Sequence, residues 1–112
     1  MRAYELMVIL DGDLDDGAAQ PMVDRVRQLV EEAGGELRTT DIWGRRRFAY
    51  EINHKWEGIY FVVELTHPGG GLPELERSLR LADEVVRHKL VRLPDDEAAR
   101  RGLLGDAAAA AG

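Results

Sequence analysis

The chain has 112 residues, no cysteine and a formal net charge of −6. The length fits one compact domain with a short tail, and the missing cysteines exclude a disulfide framework, thiolate metal sites and a cysteine nucleophile. The acidic sum argues against a generic nucleic-acid binder, and no stretch approaches the ~20 apolar residues of a membrane helix.

Ala3 to Leu10 reads as a strand. Its Tyr, Leu, Val and Ile content, almost without polar interruption, suits a central strand shielded on both faces. The apolar run ends at Asp11, too short and too soon charged for a secretory signal. Asp11-Gly12-Asp13 is a loop. A helix follows from about Gly17 to Ala33, where Met22, Val26, Leu29, Val30 and Ala33 form one apolar stripe. Gly34-Gly35 stops it.

Glu36 to Tyr50 and Gly58 to Thr66 read as two strands of an antiparallel hairpin. Glu51 to Glu57 would make its connection longer than a tight two-residue turn. In the second of these strands Ile59, Phe61, Val63 and Leu65 share one face, and Tyr60, Val62 and Glu64 the other. His67 to Gly71 is a loop. Pro73 opens a second helix with Glu74 and Glu76 in its first turn, and Leu72, Leu75, Leu79 and Ala82 form its stripe. Val85 to Leu93 is the last strand. Asp95 to Arg101 has some helical tendency, and Gly105 to Gly112 is expected to be disordered. Residues 1–94 thus form the domain, and 95–112 a flexible acidic and Ala-rich tail.

The order is β-α-β-β-α-β, an α+β ferredoxin-like arrangement with two helices on one face of a four-stranded antiparallel sheet. Right-handed crossovers are read as placing the first and last strands in the middle, which makes the hairpin strands the two edges.

Little supports catalysis. His54, His67 and His88 are scattered without metal-ligand spacing. His67 reads as a plain surface residue beside Pro68, and His88 as a polar strand position between Arg87 and Lys89. Asp83-Glu84 reads as a helix end, Ser78 lacks a base partner, and Gly69-Gly70-Gly71 lacks the Lys-Ser/Thr ending of a phosphate loop.

The charges are segregated. Acids crowd Asp11 to Asp16 and Asp95 to Glu97; bases crowd Arg45 to Arg47 and Arg77 to Arg92. Strand alternation would put Arg45 and Arg47 on one face with Trp43, and Arg46 on the other with Phe48. Guanidinium groups here suit phosphate or carboxylate, and equally a charged guard on an edge strand. In the last strand Arg87 and Lys89 share a face with Val85 and Val91, opposite Val86, His88, Leu90 and Arg92. Either face could pack on the helices. Charge on a central strand must reach solvent or a polyanion. Gly58 to Val63 faintly resembles the base-stacking strand of an RNA-recognition motif. It falls on an expected edge strand and lacks that motif's basic-Gly-aromatic-Gly opening, so base stacking is set aside.

Three segments resemble, in order and spacing, the family of the sixth protein of the bacterial small ribosomal subunit. They are Met1-Arg2-Ala3-Tyr4-Glu5; Trp43-Gly44-Arg45-Arg46-Arg47-Phe48-Ala49-Tyr50-Glu51-Ile52-Asn53, followed by Gly58-Ile59-Tyr60; and Leu79-Arg80-Leu81-Ala82-Asp83-Glu84-Val85-Val86-Arg87-His88. The resemblance spans roughly Met1 to Leu93. It implies a ferredoxin-like fold, no catalysis, no cofactor or metal, and a place in the cytoplasmic ribosome. It implies binding to the central domain of 16S ribosomal RNA together with the eighteenth small-subunit protein, against which the family's tail tends to lie. Motif by motif, it assigns RNA contact to Arg2, Tyr4, Arg80, Arg87 and His88. Arg46, Arg47 and Tyr50 match the hairpin motif and serve RNA or the partner protein. Glu51 stands where many members have proline, and His54 where lysine is common. The alternatives on the same fold are a regulatory or small-ligand module that dimerises through its sheet, and a small enzyme; fold alone does not separate them.

Overall fold

A computed structural model describes residues 1–52 and 54–104. The elements in order are β1 (Arg2–Asp11), a short 3-10 turn (Asp16–Ala18), α1 (Ala19–Glu32), β2 (Glu36–Ile52), β3 (Lys55–His67), α2 (Pro73–Leu81), β4 (Val85–Arg92) and α3 (Asp95–Arg100). The four strands form one antiparallel sheet in the order β2-β3-β1-β4. This is the ferredoxin-like arrangement.

The middle strands are β1 and β3, not β1 and β4 as the crossover reading had it. Each crossover skips a strand, so β3 pairs with both β1 and β2. The physical reason lies in side-chain polarity. β3 is apolar along one face and carries Tyr60 and Val62 on the other, so it can be enclosed. β4 carries Arg87, His88, Lys89 and Arg92, and an edge lets those charges reach water.

The core lies between sheet and helices. Leu6, Val8 and Leu10 of β1 and Ile59, Phe61, Val63 and Leu65 of β3 meet Met22, Val23, Val26 and Val30 of α1 and Leu75 and Leu79 of α2. Side-chain alternation in the strands and four-residue spacing in the helices bring these sets face to face.

The β2–β3 connection is tight. Ile52 and Lys55 are register partners, so two residues join the strands, where sequence reading expected a longer link. His54 takes a positive φ of 64° there, as short hairpin turns require. His67 is not a surface residue; it is 6% exposed. Its Nε2 lies 2.9 Å from the Ala33 carbonyl, and the Gly69 N–H donates to its Nδ1 at 3.0 Å. The ring thereby ties the end of β3 to the end of α1.

Packing continues past residue 94, where the domain was expected to end. Ala98 and Leu103 are buried against Ala3 and Leu93 on the sheet face away from α1 and α2. The expected disorder of residues 105–112 falls outside the described residues.

Gly58 sits where β1, β2 and β3 converge. A Cβ there would lie 2.6 Å from Ile9 Cγ2, 2.9 Å from the Leu10 carbonyl oxygen and 2.9 Å from Phe48 Cζ. Gly58→Ala should therefore overpack the sheet and lower stability by ~1–3 kcal/mol. Chemical denaturation checks this; an unshifted midpoint would show that the Phe48 ring is not held against the sheet.

Candidate functional site

The register decides which face of β4 is open. Ile9 pairs with Arg87, Met7 with Lys89 and Glu5 with Val91, so Arg87 and Lys89 lie on the face away from the helices. Leu90 packs on the helix side, and so does Val85. Alternation alone grouped Val85 with Arg87. A register shift beside Leu10 moves Val85 across, as an added residue does in any strand.

A second irregularity reorders the arginine run. Ile42 pairs with Phe61 and Gly44 with Tyr60, which leaves Trp43 as the extra residue, with Gly44 at φ 85°. This bulge shifts the alternation by one. Trp43 therefore shares a side with Arg46 and Phe48, not with Arg45. The Trp43 ring stacks on Tyr60 at a 6.0 Å centroid distance and 6° interplanar angle, and Phe48 meets Tyr60 edge-on at 6.1 Å. The Arg46 guanidinium lies 5.8 Å from the Trp43 ring centroid. Tyr60 is thus on a central strand, contrary to the edge placement, but its ring is engaged by Trp43 and Phe48.

Beyond Arg47, β2 gains further residues relative to β3 and arches over the open face. A groove of ≈ 320 Å³ lies beneath this arch. Its floor is Met7, Ile9 and Tyr60. Arg47, Phe48, Ala49, Tyr50 and Ile52 form one wall, and Arg87 and Lys89 the other. Its described lining holds three cations and no acid. Tyr50 is 64% exposed at its lip.

Arg45 turns the other way, onto the β1–α1 loop. It donates to the Gly12 carbonyl and, at 2.8 Å, to the Leu14 carbonyl. It also pairs with Asp16 at 2.9 Å and Glu57 at 3.6 Å. Lys55 reaches Asp13 at 2.6 Å and Asp11 at 3.6 Å. The acidic loop thus neutralises two hairpin cations and pins the base of the arch. Bonding to Asp13 pushes the Lys55 ammonium up, and bonding to Lys55 holds the Asp13 carboxyl below its ordinary value.

The residues assigned to RNA do not form one cluster. Arg80 is exposed in the last turn of α2. Arg77, Ser78 and Leu81 line the cleft toward α1, and Arg80, one turn after Arg77, lies outside that lining. His88 is half-buried on the helix side of β4, opposite Val8. Arg87 is exposed on the other side, with Lys89. Arg2 is exposed near Gly69, at the far end of the sheet from Arg80. Tyr4 is 7% exposed and belongs to the main core, so its ring offers no stacking surface. Among the described residues, Arg2, Arg46, Arg47, Arg80, Arg87 and Lys89 make no ion pair. Strand alternation grouped Lys89 with Arg87, whereas the family resemblance assigned contact to Arg87 and His88 and not to Lys89.

Comparison with known proteins decides the family. Residues 3–92 match the family model described as Ribosomal protein S6. The chain belongs to the ribosomal protein S6 family. It is 50% identical over 92 residues to small ribosomal subunit protein bS6 of Leifsonia xyli, covering 82% of this chain and 72% of that protein. The Salinispora arenicola bS6 is 48% identical over 82% of this chain and 96% of its own length. The crystal structure of 30S ribosomal protein S6 from Thermotoga maritima superposes with a TM-score of 0.81 at 33% identity, covering 91% of this chain and 96% of the other. As a member of this family the chain is a structural protein of the bacterial small ribosomal subunit, in the cytoplasmic ribosome, and not an enzyme. RNA binding and a part in translation are general properties of the family.

The Asp13–Lys55 pin has a defined pH window. Asp13 is depressed, so its contribution is complete above the ordinary carboxylate value of ~3.9 and fades as pH falls through its lowered pKa. Lys55 is raised, so its contribution is complete below ~10.4 and fades as pH rises through its higher pKa. The melting-temperature difference between wild type and Asp13→Asn should stay constant between about pH 5 and 9 and shrink in stronger acid. A difference undiminished in strong acid would show that Asp13 acts other than by its charge.

Proposed function

We propose that this small-subunit protein binds the central domain of 16S ribosomal RNA together with the eighteenth small-subunit protein, supporting subunit assembly and translation. In this reading RNA follows the β4 edge, and the partner protein enters the open-face groove. One observation carries it: Arg87 and Lys89 stand exposed and without ion pairs on the open face of β4, with Arg80 likewise exposed and unpaired in the last turn of α2, on a chain of net charge −6. Exposed cations on an edge strand suit contact with a phosphate backbone, with recognition by shape rather than by stacked bases. Arg2 would extend the contact at the far end. His88 and Tyr4 would contribute less, because both turn toward the helix layer.

The groove has a different chemistry. Its apolar floor and exposed Tyr50, bordered by Arg47, match the aromatic and arginine enrichment of protein interfaces. Two modest surfaces acting together bind more tightly than either alone, which suits an acidic protein with a narrow cationic rim.

Arg80→Ala with Arg87→Ala should weaken binding to a central-domain RNA fragment, measured with the partner protein present, by about tenfold or more. The slope of log affinity against log salt should fall by roughly one for each phosphate no longer neutralised. Both side chains are exposed, so the melting temperature should hold. Unchanged affinity and salt slope would remove the β4 edge as the RNA surface.

A further inference from the structure

The open sheet face has two halves. One is the groove. The other lies beneath α3, beyond the residues 3–92 that match the family. Glu5 and Glu64 are direct register partners on the two central strands of this covered half. Like charges placed opposite one another in an antiparallel pair repel. Arg101 follows α3 and donates to Glu5 at 2.8 Å, to Glu64 at 2.9 Å and to Glu97 of its own helix at 2.8 Å. The Arg38 guanidinium also holds the Leu103 carbonyl at 3.1 Å.

We propose that α3 is a releasable strap, latched through Arg101, which covers half of the open sheet face and lifts to lengthen the surface available to a docking partner. The strength of its attachment supports release. The apolar contact beneath it consists of Ala3, Leu93, Ala98 and Leu103, with Leu104 beside them, and two of the four buried residues are alanines. The Arg101, Glu5 and Glu64 side chains are 33%, 37% and 19% exposed, and pairs that reach solvent hold weakly and are screened by salt. Such an element opens below the cost of global unfolding. Lifting leaves Glu5 and Glu64 facing each other without their counter-ion, which favours closure while no partner is present. It also uncovers Ala3 and Leu93, with Val91 of β4 already 40% exposed and Glu5 between Ala3 and Met7 of the groove. The strap as a device stands on contacts within this chain; its effect on docking rests on the partner assignment proposed above.

The chain has no cysteine, so one introduced thiol reports the opening. Ala98→Cys, on the covered side of α3, should react slowly with a thiol reagent. Adding Arg101→Gln, or salt at about 1 M, should speed labelling roughly tenfold, while a Val63→Cys reporter in the main core is not accelerated. Equal acceleration at both positions would mean global unfolding and overturn the strap; no acceleration at Ala98→Cys would show that Arg101 is no latch. If that reporter disturbs packing, Leu103→Cys, in the same covered contact with Ala3 and Leu93, reads the same opening. Full-length Arg101→Gln should then bind the eighteenth small-subunit protein about tenfold more tightly than wild type. Equal or weaker binding would overturn the competition between strap and partner. Binding by neither chain would overturn the partner assignment, while the labelling rates still decide the strap.

Discussion

The burial of β1 and β3 between two neighbours each is the constraint on which the other features depend. A central strand meets helices on one face and must present a second face that neither repels its neighbours nor exposes much apolar area. β3 meets this with Tyr60 and Val62 and β1 with Met7 and Ile9, while the opposed Glu5 and Glu64 share Arg101 as their counter-ion. The charged strands are thereby relegated to the edges. β4 becomes a rim of cations, and β2 becomes a long arm that can bulge and arch because only one side of it is paired.

An acidic protein keeps cationic surface through internal division of charge. Asp11, Asp13, Asp16 and Glu57 absorb Arg45 and Lys55, and Glu5, Glu64 and Glu97 absorb Arg101. These pairs fix the base of the hairpin arm and the C-terminal helix. Arg46, Arg47, Arg80, Arg87 and Lys89 make no ion pair among the described residues. Net charge therefore says little about this surface, because alternation and bulges decide which side each charge reaches. The two edges carry different chemistries. The β4 rim is cationic and backbone-like in its reach, whereas the β2 arm combines Trp43, Phe48 and Tyr50 with arginines over an apolar floor. These are the compositions that the proposed RNA and partner-protein contacts call for.

Much of the architecture follows from local pattern. The number, order and type of elements are legible from apolar spacing, from Pro73 at the start of α2 and from Gly34-Gly35 after α1, since these signals act within a few residues. Family membership is legible as well, in the segments around Tyr4, Arg46 and Arg87. Parity was the weak point. Gly44 in a left-handed conformation and the register shift beside Leu10 each add one residue to a strand, and one residue reverses every side chain beyond it. His67 misled for a related reason: its burial comes from Ala33, distant in sequence, and nothing beside it in the chain reports that contact.

By itself, then, the sequence determined an α+β chain of four strands and two main helices, without cysteine chemistry, and a set of basic positions shared with a ribosomal family. Only the tertiary structure decided that β3 rather than β4 is central, that Tyr4 is core, that Arg45 is spent on an acidic loop while Arg46 and Arg47 are not, and that the segment after residue 94 returns to the sheet. The former depend on periodicities a few residues long. The latter depend on which distant carboxylate, carbonyl or ring arrives beside each side chain, and that is set only when the sheet order and its bulges are in place.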